Sequence, residues 1–193
     1  MASKTTYRVK FRRRRELKTD YNKRLKFIKS GLVRLVVRKN NKGTIIAQIV
    51  KYGGGGDVVL SQATATQLKD YGWKGGSANL PAAYLVGLII GKKAKEKAGG
   101  GEEIILDIGR QHPSHGGKLF ATLKGAVDGG LNVLGSEEAH PSEKRIRGEH
   151  IASYYSGLSE DDKKRFFTKY EMNPEELPSH FDSVRKKILE EGA

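Results

Sequence analysis

A chain of 193 residues, 37% hydrophobic and 30% charged with no cysteine, carries a formal net charge of +14. The length suits one sizeable domain with or without an extension, and the lack of cysteine excludes a disulfide framework, a Cys-based zinc site and a thiol nucleophile. The surplus is local: residues 1–51 hold 17 Lys and Arg against Glu16 and Asp20, and residues 52–193 hold 19 against 20 acids, so a basic end on a near-neutral body points to a polyanion, nucleic acid above all.

Residues 1–11 read as an extended basic arm. From Arg12 to Ser30 the period is helical, with Leu17, Tyr21, Leu25 and Ile28 on one face and Gly31 as the stop. Leu32 to Arg38 alternates, Val33, Leu35 and Val37 facing one way and Arg34, Val36 and Arg38 the other. Asn40-Asn41-Lys42-Gly43 is a hairpin turn signal, Thr44 to Tyr52 the returning strand, Gly53 to Gly56 a turn and Asp57 to Ser61 a third strand. Helices are expected over Thr64 to Asp70 and Leu80 to Lys97, the second with Ala83, Gly87 and Gly91 as a small-residue stripe for close packing on a sheet. The apolar stretch Ala78 to Gly91 is about 14 residues and holds Pro81, short of the roughly 20 that span a bilayer. Gly99-Gly100-Gly101 ends that region. Glu103 to Ile108 reads as a fully buried strand and Lys118 to Leu131 as a helix with Leu119, Leu123, Ala126, Val127 and Leu131 inward. The alternation predicts an α/β layer architecture.

Beyond Gly135 the chain turns polar. Ser159 ahead of Glu160, Asp161 and Asp162 is a helix N-cap signal, and Asn173-Pro174-Glu175 is another. Phe181, Val184 and Ile188 form a last apolar stripe. Three parts are expected: 1–31, the basic arm and helix; 32–135, the α/β core; and 136–193, a mostly helical extension without a core of its own that wraps the body or a partner. There is no internal repeat, and the polar, basic first residues give no secretory signal.

The run Arg12-Arg13-Arg14-Arg15 and the following helix form the main constellation. Arg forks grip phosphate oxygens, and Tyr7, Phe11, Tyr21 and Phe27 interleave the charges where they could stack on bases. Against a membrane-surface helix stand the narrow apolar stripe and the lack of Trp. RNA ranks above DNA because no helix-turn-helix or zinc-finger spacing occurs. A second patch is the loop Asp107 to Lys118, whose glycines would let amides approach a phosphate. As a nucleotide loop it fails, since Leu119 follows Gly117-Lys118 where Ser or Thr is needed. His112 and His115 have no Cys or clustered carboxylate nearby, so no metal is expected, nor any cofactor, nor catalysis. The residues expected to contact RNA are Arg8, Lys10, Arg12, Arg13, Arg14, Arg15, Lys18, Tyr21, Lys23, Arg24, Lys26 and Lys29 of the amino end. To these are added Arg34, Arg38 and Lys42 of the first hairpin, and Arg110, His115, Gly116 and Lys118 of the loop. A nucleotide-dependent enzyme on RNA and a DNA-compacting protein are the readings from other classes.

The ordered strings resemble a known family. They are Arg12-Arg13-Arg14-Arg15-Glu16, Lys18-Thr19-Asp20-Tyr21 and Arg24-Leu25; Lys29-Ser30-Gly31 and Arg34-Leu35-Val36-Val37-Arg38; Tyr71-Gly72-Trp73 and Asn79-Leu80-Pro81-Ala82-Ala83-Tyr84; and Leu123-Lys124-Gly125-Ala126-Val127-Asp128-Gly129-Gly130-Leu131 and Arg147-Gly148-Glu149-His150-Ile151. Together they are similar to the archaeal form of the large-subunit ribosomal L-eighteen family, called L-five in eukaryotes, over nearly the whole chain. The resemblance implies a three-layer α/β core with a mixed sheet of about five strands, ribonuclease-H-like and non-catalytic. It implies a cytoplasmic structural protein of the large ribosomal subunit that binds 5S rRNA and helps attach it to the large-subunit rRNA in the central protuberance. The implied neighbours are other ribosomal proteins, notably the second 5S-binding one, with no membrane. It also implies that the basic loop at His115 lies beside 5S RNA. Members from extreme halophiles are strongly acidic, and this chain is basic.

Overall fold

The computed structural model describes residues 8–40, 42–98 and 102–191. Tyr7 and the rest of the arm before Arg8, Asn41 of the first turn and the stop at Gly99 to Gly101 lie outside them. Three strands form an antiparallel meander: β1 (Val33–Lys39), β2 (Ile45–Gly53) and β3 (Gly56–Thr64). β4 (Ile104–Asp107) joins β1 in parallel, and β5 (Val133–Leu134) joins β4 in parallel, giving the order β3-β2-β1-β4-β5. Parallel neighbours require crossovers. Helix α3 (Leu80–Ala98) makes the one from the meander to β4, and α4 (Lys118–Asp128) makes the one from β4 to β5. The five-stranded mixed sheet is the one the resemblance implied.

One face of the sheet is the core. Val33, Leu35, Val37, Ile45, Ala47, Ile49 and Ala63 are buried there with Leu85, Leu88 and Ile89 of α3 and Leu123 and Ala126 of α4. The small-residue stripe of α3 serves a different surface from the one expected. It meets α4, not the sheet. A Cβ at Gly87 would fall 2.1 Å from the Thr122 carbonyl oxygen, and one at Gly125 would fall 2.1 Å from that of Tyr84. The two helices therefore touch backbone to backbone, which glycine alone permits. Tyr84 locks the same contact by donating its hydroxyl to Asp128 (2.6 Å). Burial first, and the Asp128 carboxylate next, push the Tyr84 hydroxyl well above its ordinary pKa.

The segment beyond Gly135 forms α5 (Glu143–Arg147), α6 (Glu149–Ser156), α7 (Glu160–Phe166) and α8 (Leu177–Glu191). Ser159 accepts from the Asp162 amide and Asn173 from that of Glu175, as capping residues do. Leu177, Phe181, Val184 and Ile188 of α8 are buried in the same core as the sheet residues. Phe181 meets the Tyr84 ring at 5.6 Å. His180 stacks on Trp73 and accepts a hydrogen bond from the Lys74 amide (3.1 Å).

Four elements differ from expectation. The basic helix is two pieces, α1 (Arg12–Arg15) and α2 (Tyr21–Ser30), with Leu17 at φ 53 between them. The Asp20 carboxylate accepts from the amides of Asn22 and Lys23, so a new helix starts there, and Leu17 leaves the expected stripe and is exposed. Over Thr64 to Asp70 there is no α-helix. β3 continues through Thr64, and a 3₁₀ turn covers Gln67–Lys69 only; Gln67 accepts from the Thr64 amide, a local bond that competes with a helical one. β4 is not fully buried, since Ile105 and Leu106 are only half covered at the short end of the sheet. α4 ends at Asp128, and Val127 faces solvent because the stripe facing α3 runs through Ala126.

Candidate nucleic-acid interface

The amino end is held by local bonds rather than by a core. No side chain of α1 or α2 is fully buried. Arg8, Lys10, Arg12, Arg13, Arg14, Arg15, Lys18, Lys26 and Lys29 are exposed, and Tyr21, Lys23 and Arg24 are partly covered. Glu16 sits among the cations, 3.4 Å from Arg12 and 2.8 Å from Lys18. Arg13 donates to the Thr19 hydroxyl (2.9 Å). Phe11, 75% exposed, meets the Tyr21 ring at 5.9 Å, and the Lys23 ammonium lies over the Phe27 ring. Gly31 at φ 69 caps α2, the left-handed end that glycine takes without strain.

A chain of charges ties this end to the sheet. Arg24 of α2 pairs with Asp57 of β3 (2.9 Å). Asp57 pairs with Arg34 of β1 (2.7 Å), and Arg34 pairs with Asp107 of β4 (3.2 Å). The other Asp107 oxygen accepts from the Gly109 amide (2.8 Å). Arg34 is 3% exposed. Its guanidinium is committed to two carboxylates from two other strands, so the expectation that the hairpin presents it to RNA is corrected. Arg38, two pleats along the same face, is exposed, as are Lys39 and Lys42. Between α2 and this face lies a cavity of about 970 Å³, which Arg110 also lines. Arg110 faces Asp20 across it; the Lys23 amide, with help from that charge, holds the Asp20 carboxyl below its ordinary pKa.

The loop after β4 is fastened by Gln111, which donates to the Val37 and Ile108 carbonyls and accepts from the Lys39 amide (2.9 Å). This divides the loop. Arg110 faces the α2 cavity, whereas Lys118 lines a second cavity of about 560 Å³ with Lys39, Arg145 and His150. The single loop patch expected from the sequence is thus two. Gly116 and Gly117 give their amides to the carbonyls of Ala139 and Ser114, so those glycines do not offer them to an anion as expected. The α4 end itself carries no side-chain cap. Lys118 is half-buried at that end, 3.5 Å from the Gly43 carbonyl; burial, then the charge of Lys39, lowers its pKa. No Asp or Glu lines this second cavity. His115 is exposed near the Phe120 ring. Among the described residues no three His, Asp or Glu side chains converge on a metal position, and no helix is long and apolar enough to cross a membrane.

A family model described as ribosomal large subunit proteins 60S L5 and 50S L18 matches residues 5–104. A protein named large ribosomal subunit protein uL18 from Methanothermobacter thermautotrophicus is 47% identical over 99% of this chain and 100% of its own. That from Methanosphaera stadtmanae is 47% identical over 98% of both, and that from Caldivirga maquilingensis 46% over 100% of this chain and 95% of its own. The chain belongs to the uL18 family.

This family consists of structural proteins of the large ribosomal subunit and is not one of enzymes. That suits a surface where cations outnumber carboxylates and the carboxylates are spent on internal pairs. In this uL18 chain the sequence did not single out Lys39 and Arg145, which line the second cavity with Lys118. Lys39 was signalled by its place beside Arg38 at a strand end. Arg145 lies in the polar segment beyond Gly135, and no local pattern placed it opposite Lys118.

Proposed function

We propose that this uL18 chain binds 5S rRNA and joins it to the large-subunit rRNA in the central protuberance, beside the other 5S-binding ribosomal protein. The observation that carries the reading is the segregation of charge. The first 51 residues hold 17 cations and 2 acids, and Arg12 to Arg15, Lys26, Lys29 and Arg38 stand in solvent around a neutral core. Arg and Lys so placed neutralise phosphates and release counterions. The contacts fall on the arm, α1, α2, Arg38 and Lys42, with Arg110, His115 and Lys118 as flanking contacts. The test is a titration of 5S rRNA, against a DNA duplex of equal length, with the full chain and with a chain lacking residues 1–29. Affinity for RNA should fall by up to about 10³–10⁵ between 50 and 200 mM salt if 6–10 phosphates are neutralised, the duplex-DNA value serving as the upper guide. The truncated chain should lose most of the binding with its circular dichroism largely intact. Undiminished binding by the truncated chain, or equal affinity for the DNA, would defeat the reading.

A further inference from the structure

The cavity between α2 and the outer face of the sheet has a floor and a rim of opposite character. Val36, Val50 and Val59 lie on the floor among Arg34, Gln48, Asp57 and Asp107, with Val36 and Val50 buried, and Phe27 and Tyr21 of α2 stand over it. Arg13, Lys23, Arg38 and Arg110 line the margin. The acids within reach are engaged: Asp57 and Asp107 hold Arg34 and Arg24, and Asp20 caps α2. The space therefore has one open apolar spot, Val59, facing Phe27 and Tyr21, and a cationic rim. At about 970 Å³ it lies at the upper end of the roughly 300–1,000 Å³ of pockets that enclose small molecules. That size suits unstacked nucleotides. It does not suit a duplex, whose bases are stacked inside and which proteins read across its grooves. Val59 is 49% exposed, an apolar floor residue still open to solvent. α2 has no fully buried side chain and is joined to the sheet through the Arg24–Asp57 pair.

We propose that this cleft holds unpaired RNA, with a base drawn out of the strand against Phe27 and Val59 and the phosphates left on the arginines and Lys23 at the rim. The inference rests on the RNA-binding reading above and deepens it, since cations alone would take duplex and single strand alike. Bases have apolar faces that any aromatic side chain can accept, and an open valine opposite Phe27 is what a phosphate-only surface has no use for.

The probes are a short oligouridylate, its duplex with oligoadenylate, and a polyglutamate of equal charge, titrated at one salt concentration. Val59→Trp fills the floor. Val58→Trp is its control, since Val58 is exposed on the opposite face of the same strand. The wild type should bind the single strand more tightly than the duplex. Val59→Trp should weaken the single strand about tenfold, the scale of one lost stacked base, with little change for the duplex, and Val58→Trp should change neither. A thiouridine-bearing oligonucleotide should crosslink the wild-type chain within α2, β2 or β3, a readout that does not depend on any variant folding. Crosslinks confined to residues 8–15, or equal loss of duplex and single strand in Val59→Trp, would overturn the proposal. So would polyglutamate binding as tightly as oligouridylate with the same sensitivity to Val59→Trp, in favour of an acidic protein segment. Binding of 5S rRNA is read in parallel. If it and the oligouridylate are both untouched by Val59→Trp, the cleft assignment alone fails. If the wild type does not bind 5S rRNA, the proposed function fails, and the oligouridylate comparison still decides the cleft.

Discussion

Arg34 and Arg38 lie four residues apart on one strand and one face, and their surroundings give them opposite work. Arg34 is buried between Asp57 and Asp107. Removing one member of a buried ionic cluster leaves the others unpaired in a poor solvent for charge, so Arg34→Ala should cost about 3–5 kcal/mol of stability by urea unfolding. Arg38 has no ion-pair partner among the described residues, and Arg38→Ala should move stability by no more than about 0.5 kcal/mol. The same change should weaken RNA binding and lower the salt slope by about one. A stable Arg34→Ala protein with impaired RNA binding would reverse these roles. The alternation of residues 32–38 put both arginines on one face, and that much was legible. What could not be read was the source of the carboxylates, because Asp57 and Asp107 reach Arg34 only after β3 and β4 have taken their places in the sheet.

At the scale of elements, two helices at opposite ends of the chain show the two ways an amphipathic segment can be used. α2 has a thin apolar stripe, buries nothing fully and is held by charge. α8 has Leu177, Phe181, Val184 and Ile188 buried to within 2% and is part of the core. Deleting residues 1–29 should therefore leave the thermal midpoint nearly unchanged, whereas Phe181→Ala should cost about 3–5 kcal/mol; calorimetry on the two proteins separates them. Gly87→Ala at the α3–α4 contact should cost about 1–3 kcal/mol or more, because the methyl would meet backbone that cannot swing aside. Periodicity found both helices and the glycine stripe. It could not say which surface the stripe would meet, since close packing on a helix and on a sheet ask for the same small residues. It joined α1 to α2 because the spacing of Leu17, Tyr21, Leu25 and Ile28 runs unbroken past the Asp20 cap.

For the molecule as a whole, stability should depend on acid through half-buried histidines. Burial lowers the pKa of His140 and of His180 from 6.5, with Lys124 opposing protonation of the first and Lys74 and Lys187 that of the second. The unfolded chain takes up these protons near the ordinary value while the folded chain resists, so stability present above about pH 6.5 is lost as the pH falls below it. The thermal midpoint should drop between about pH 7 and pH 5, and His180→Gln, which keeps an acceptor for the Lys74 amide, should flatten the drop. The mixed sheet of about five strands and the basic end followed from pattern and resemblance; the order of the strands came only with the structure. The membership of α8 in the central core did not, because a polar segment with one apolar stripe looks the same whether it covers its own body or a neighbour.

That membership has a consequence in time. Protein synthesis proceeds at about 5–20 residues per second, and Ile188 is made roughly 160 residues after Ser30, so the core waits about 8–30 s for its last wall. Throughout that interval the cationic end has already been made and is attached to a body that cannot yet close. During its own manufacture the chain is thus a strong polycation before it is a folded protein. It must meet its RNA, or be shielded from every other one, in that order.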